Sequence, residues 1–213
     1  MNAWKCRPRR TLVVFSALAA LAGGSSASVS AQTVEPPFNA QYSAVDLGSP
    51  PGVPSRLGGL TLLAGDRNTL LIGGLADDPG GALYAIGLSR NAQGYITGFR
   101  GTARRFADAP NNDGGVAYGP GGVLFLARWP NNELGQVRPG SSTTDKVIDM
   151  SQFGVESSLV AQQFVPSGFP GAGSLKLVSY VSGGWFDAGV TPDGTGTALF
   201  PMRDIASVPF PLP

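Results

Sequence analysis

Between residues 58 and 200 the chain repeats one short pattern: a glycine pair, a strand-length apolar run, a turn, and a second apolar run. Gly58-Gly59-Leu60-Thr61-Leu62-Leu63 leads through an Ala64-Gly65-Asp66-Arg67-Asn68 turn into Thr69-Leu70-Leu71-Ile72, and Gly114-Gly115-Val116-Ala117-Tyr118 leads through Gly119-Pro120-Gly121-Gly122 into Val123–Ala127. The pairs begin at 58 and 114, an offset of 56 residues, and a looser copy starts at Gln163-Phe164-Val165, turns over Pro166–Gly173 and continues as Leu175–Val181. A third and a fourth run follow in each copy: Ala82–Leu88 and Ile96–Phe106, Glu133–Arg138 and Lys146–Asp149, Trp185–Val190 and Thr197–Phe200. The runs are β-branched or aromatic-rich and bounded by Gly, Pro, Asn and Asp, which is the signature of strands. Four strands per unit of roughly 50 residues predicts an all-β chain of about three four-stranded blades, a partial or open β-propeller. The only helical candidate is Ser151–Gln163, and Gly154 with its scattered serines weakens it.

The segment before this repeat reads as a leader. Lys5, Arg7, Arg9 and Arg10 precede an apolar stretch from Thr11 to Gly24, and Val29-Ser30-Ala31 supplies small residues at a cleavage point. Cleavage after Ala31 is expected, with Ala27 as the alternative, and the ordinary secretory route is preferred over a twin-arginine route. The apolar stretch ends in Gly23-Gly24-Ser25-Ser26, too short for a stable membrane span. The expected localisation is extracytoplasmic, periplasmic or secreted. The resulting division is a signal peptide over 1–31, a Pro-rich lead-in with a first strand over 32–57, a propeller-like β domain over 58–200, and a Pro-rich tail over 201–213.

Several chemistries are removed at once. The 213 residues include no histidine, and the single cysteine, Cys6, lies in the leader, so His-based triads, His or Cys zinc sites, CxxC redox chemistry and internal disulfides are excluded. There is no GxSxG elbow, P-loop or dinucleotide fingerprint; the glycine pairs recur as strand starts and turns. Four of the fifteen basic residues and none of the fourteen acids precede Ala31, so the remainder carries a formal charge of −3. Its arginines are scattered apart from Arg104-Arg105, which excludes the electrostatic footprint of a nucleic-acid or anionic-membrane partner.

The run Asp113-Gly114-Gly115-Val116-Ala117-Tyr118-Gly119-Pro120-Gly121-Gly122-Val123-Leu124-Phe125-Leu126-Ala127 resembles the strand, Gly-Pro turn, strand unit of six-bladed propellers of the SMP-30/gluconolactonase and NHL type. The match covers one blade well and two poorly. In style the chain is also similar to exported bacterial proteins with a Pro-Glu-Pro (PEP-CTERM) sorting tag, of which it would be a truncated relative. Its end, Val208-Pro209-Phe210-Pro211-Leu212-Pro213, lacks the glutamate, membrane helix and basic tail of such a tag. The resemblance implies a divalent cation such as Ca2+ in the central channel, and Asn111, Asn112 and Asp113 are the candidate oxygen ligands. Turn chemistry accounts for the same three residues without a metal, and on that reading the chain carries no cofactor.

The candidate ligand-binding residues are Arg128, Trp129, Asn131, Asn132 and Glu133, in the loop after the most apolar strand. An aromatic flanked by Arg, Asn and Glu can stack on and hydrogen-bond a sugar or a peptide. The competing account has Trp129 packing on a neighbouring blade and Arg128 pairing with a carboxylate. Trp185-Phe186-Asp187 is a weaker version of the same pattern, while Asp66-Arg67-Asn68 and Asp77-Asp78-Pro79-Gly80 read as loops. The function expected from these features is an exported, non-enzymatic binding or interaction module for a carbohydrate, peptide or envelope component. The alternative is a metal-dependent hydrolase or lactonase of the SMP-30 type, which needs carboxylates from at least two blades converging on one point. Three units do not close a ring that takes about four to eight blades, so bare end faces and self-association through open blade edges are also expected.

Overall fold

The structure, a computed structural model, describes residues 33–197 and 200–208; the leader, the cleavage point and residues 209–213 lie outside them. The chain divides into two compact units, 1–44 and 45–213. In the first, the described residues hold one short 3-10 turn, Phe38–Ala40. The second is all-β.

Among the described residues, twelve strands form three four-stranded antiparallel sheets, each a simple meander. The first contains β1 (Leu60–Leu63), β2 (Asp66–Gly74), β3 (Ala82–Arg90) and β4 (Ile96–Asp108). In the second are β5 (Asn112–Tyr118), β6 (Leu124–Arg128), β7 (Glu133–Val137) and β8 (Lys146–Asp149), and in the third β9 (Leu159–Phe164), β10 (Leu175–Ser179), β11 (Trp185–Thr197) and β12 (Phe200–Ser207). The three blades expected from the repeat are therefore present.

Strand β6 shows why its sequence is continuously apolar. Its side chains alternate between two interfaces: Leu124 and Leu126 join Leu71, Leu83 and Val116 in the core between the first and second sheets. Phe125 and Ala127 join Leu134, Leu159, Leu175, Leu177 and Phe186 in the core between the second and third. All five residues of β6 are buried, as a strand packed on both faces must be. The rings of Phe125 and Phe164 meet edge to face across the second interface, with centroids 5.1 Å apart.

The glycine pairs hold the innermost strands together. A Cβ added at Gly59 would fall 1.8 Å from the Gly114 carbonyl oxygen, and one added at Gly114 would fall 2.0 Å from the Val160 carbonyl oxygen. The backbones of β1, β5 and β9 thus touch in sequence, which only a residue without a side chain permits. At the corresponding place in the third copy stands Val160, and among the described residues no further inner strand packs on β9.

Two expectations are corrected. The helix over Ser151–Gln163 is absent: Met150–Phe153 is a single 3-10 turn closed by Gly154 in the left-handed region, and Leu159–Phe164 is β9. Met150, Val155, Leu159 and Phe164 are buried in one core, a spacing that a chain changing conformation satisfies and a single helix does not. The tail also begins later than expected, since Phe200–Ser207 is β12 and its Met202 and Ile205 are buried. Their spacing of three, broken by a register shift against β11, hides the alternation that marks a strand.

The end faces are covered in part. On the outer face of the first sheet Ile72 and Ile86 are buried, and Val53 and Pro54 of the Pro-rich lead-in lie within 3.0 Å of where a Gly74 Cβ would sit. Nearer β1 on that face, Leu60 and Leu62 remain exposed. The outer face of the third sheet is amphipathic, with Lys176 and Asp187 paired at 2.6 Å beside the exposed Trp185. The β4 edge carries Arg100, Arg104 and Arg105, charges of the kind that discourage edge-to-edge pairing.

Candidate functional site

The links that carry the candidate residues emerge at one end of the sheets, stitched together by backbone hydrogen bonds. Asn111 N–H donates to Asp78 O, Trp129 N–H to Asn111 O, Met150 N–H to Asn132 O and Tyr180 N–H to Ser158 O, each at 2.9 Å. The two candidate clusters, separate in sequence, are therefore neighbours, and Asn131 Nδ2 stands 3.4 Å from Asn111 Oδ1.

Several of these side chains are committed to holding the loops. Arg128 faces Glu133 across the β6–β7 pair, with Nη1 2.7 Å from Glu133 Oε2, and its Nε donates to Pro110 O at 2.9 Å. Arg128 is buried, so this guanidinium clamps the loop from behind. Asn132 has φ 54°, a left-handed conformation that asparagine tolerates, and its amide joins two segments. Its Nδ2 donates to Val155 O and its Oδ1 accepts from Leu159 N–H, both at 2.8 Å. Trp129 is half-buried, whereas Asn131 is exposed.

Asn111 also lies in the left-handed region, at φ 60°. Asn112 stands where β5 bulges away from β6, and its Nδ2 fills the gap by donating to Gly115 O at 3.2 Å and Ala127 O at 3.0 Å. Its Oδ1 is buried without a hydrogen-bond partner. Burial, reinforced by the nearby Asp77 carboxylate, pushes the Asp113 carboxyl above its ordinary range. Asp77 comes from the β2–β3 loop of the first sheet, so acids of two sheets do approach each other here. Among the described residues, no three His, Cys, Asp or Glu side chains are grouped so as to hold a metal ion.

Beside the β6–β7 loop lies an open cavity of about 600 Å3, lined by Asn131, Asn132, Glu133, Asp149, Ser151 and Glu156 among others. It gathers three carboxylates and no lysine or arginine side chain. Asp149 accepts from Ser151 N–H at 2.9 Å and Ser151 Oγ at 2.6 Å, bonds that hold its carboxyl below the ordinary range and cap the 3-10 turn. Glu156 is exposed. The link from Asp149 to Ser157 was not singled out as a site by sequence, because its polar residues read as a weak helix. Asp149 two residues before Ser151, followed by Gly154, is a local signal for a capped turn.

Of the remaining motifs, Trp185 is exposed, Phe186 is core and Asp187 pairs with Lys176. Asp66-Arg67-Asn68 opens β2 rather than forming the turn, which is reduced to Ala64-Gly65. Among the described residues no helix is long and apolar enough to cross a membrane. No protein-family model, curated protein or solved structure matches the chain. Of that resemblance only the three four-stranded antiparallel sheets are seen, and they carry no membership of the SMP-30, NHL or PEP-CTERM groups.

Proposed function

We propose that this chain is an exported binding module whose recognition site is the polar cavity beside the β6–β7 loop. The observation that carries the reading is the lining: the exposed carboxylates of Asp149 and Glu156 face open solvent, the Glu133 carboxylate behind them is paired with Arg128, and the amide of Asn131 stands at the rim. Such a surface favours ligands rich in donors, either the hydroxyls of a carbohydrate or the amino groups of a peptide from the envelope. Arg128 and Asn132 are then positioning residues that fix the loop, while Asn131 and Glu156 make the contacts. Titration calorimetry against envelope oligosaccharides and basic peptides tests this. Asn131→Ala and Glu156→Gln should each weaken binding about three- to tenfold with the melting temperature unchanged, a loss of the order of one or two hydrogen bonds. Unaltered binding in both variants would refute the site.

A second reading, the metal-dependent hydrolase or lactonase, is favoured by the approach of Asp77 to Asp113 from adjacent sheets. It requires further ligands beyond this pair. Metal analysis of the purified protein by mass spectrometry, with a lactone panel beside it, tests the reading; a stoichiometric divalent ion lost in Asp113→Asn would displace the binding module as the preferred function.

A further inference from the structure

At the other end of the β6–β7 hairpin the first and second sheets part to leave a second cavity, of about 370 Å3. It differs in kind from the polar one. Leu63, Phe106, Leu124 and Val137 make its walls, Ala64 and Pro139 stand at its mouth, and only Tyr118 and Arg138 bring polar side chains. The cavity continues the core between these sheets, since Leu124 and Val137 belong to that core and Leu63, Phe106 and Tyr118 pack against it. Its volume lies within the range of small-molecule sites, and apolar walls disfavour filling by water.

The polar groups select the ligand further. Arg138 is already neutralised: its Nη2 lies 3.0 Å from Asp145 Oδ1, and its backbone N–H donates to Asp145 Oδ2 at 2.8 Å. Burial opposes the charge on Asp145, but the bonds from Arg138 N–H, Ser141 and the Arg138 guanidinium outweigh it and hold the carboxyl below its ordinary range. The rim therefore presents an ion pair with no net charge. An anionic ligand would compete with Asp145 for the guanidinium and would stand near its carboxylate. Tyr118 is the remaining handle, a half-buried phenol whose oxygen faces the Ala64 backbone N–H and whose O–H is left to donate one hydrogen bond.

We infer that this cleft is a binding site for an uncharged, ring-sized apolar molecule held by apolar contact and one hydrogen bond to Tyr118. It is separate from the proposed polar site and stands or falls independently of it. The test compares two fluorescent probes with the same aromatic body, neutral N-phenyl-1-naphthylamine and its sulfonated analogue 8-anilino-1-naphthalenesulfonate. The neutral probe should bind saturably at one site with a blue-shifted emission, and the anionic probe at least about tenfold more weakly, because its sulfonate would have to stand near the Asp145 carboxylate and compete with it for the Arg138 guanidinium. Ala64→Trp, which plugs the mouth from an exposed position, should abolish neutral-probe binding, and Pro139→Trp does the same from the facing wall if the first variant folds poorly. Tyr118→Phe should weaken it about fivefold, the worth of one neutral hydrogen bond. Absence of saturable binding, binding that survives both plugs, or preference for the anionic probe would each overturn the assignment.

Discussion

Gln136 is fully buried, yet its amide joins two sheets as a backbone strand would. From β7 its Nε2 donates to Arg203 O at 2.9 Å, while its Oε1 accepts from Arg203 N–H at 3.1 Å, across the interface to β12. Gln136→Leu keeps a similar volume and removes both bonds. Two neutral hydrogen bonds contribute about 1 kcal/mol each, and stranding the Arg203 groups in a partly buried site raises the loss to about 2–4 kcal/mol. In a domain of this size that lowers the melting temperature by about 4–16 °C. Gln136→Glu supplies an internal control. At neutral pH the introduced carboxylate has no proton to donate to Arg203 O and buries a charge, so this variant should be less stable than the leucine variant. On acidification its protonated carboxyl regains both a donor and an acceptor, and the order should reverse. Thermal melts followed by circular dichroism at neutral and acidic pH measure both effects. A loss below about 1 kcal/mol for the leucine variant, or a glutamate variant no more pH-sensitive than the parent, would refute the assignment of Gln136 as an inter-sheet clamp.

Gly114→Ala should cost about 3 kcal/mol or more in urea unfolding, because the new methyl would meet the Val160 carbonyl oxygen at 2.0 Å and backbone cannot yield cheaply. Lys146 bridges Asp193 and Asp204 of the third sheet, each at 2.5 Å; hydrogen bonding by Lys146 lowers Asp193 to about 2 from an ordinary 3.8. A depressed carboxylate stabilises the fold above 3.8, and that contribution disappears as pH falls towards 2, so melting-temperature profiles of Lys146→Met should be flatter over this window than those of the parent. Leu60→Lys with Leu62→Lys removes the exposed apolar strip of the first sheet and should abolish any concentration-dependent association seen by light scattering.

The strands were legible because their physical causes are local. Short β-branched runs bounded by turn residues recur at blade spacing, and nearly every run read from sequence became a strand. The failures have equally local reasons. Residues 151–163 divide between a turn and β9, and their polar pattern satisfies neither a helix nor a strand period. In β12 a register shift replaces alternation by a spacing of three. At the candidate site, Asn111 and Asn132 were legible as turn residues because positive φ favours asparagine. The pairing of Arg128 with a nearby carboxylate, Glu133, was legible too; its bond to Pro110 and those of Asn132 to Val155 and Gln136 to Arg203 were not, since these partners are between 18 and 67 residues away. The apolar cleft was invisible for a related reason: its walls come from two sheets, and each wall residue alone reads as ordinary core.

The contact from Gly59 to Gly114 and from Gly114 to Val160 has a direction, and that direction bears on how such a chain can lengthen. Each interior junction constrains the earlier strand to glycine and leaves the later one free at that point. The last strand inherits no such constraint. A fourth sheet appended by duplication would therefore not dock on β9 as it stands, because Val160 and Ala161 would present side chains where the two preceding junctions place glycine. A sheet docked on β9 by the same junction would therefore need glycine at these positions.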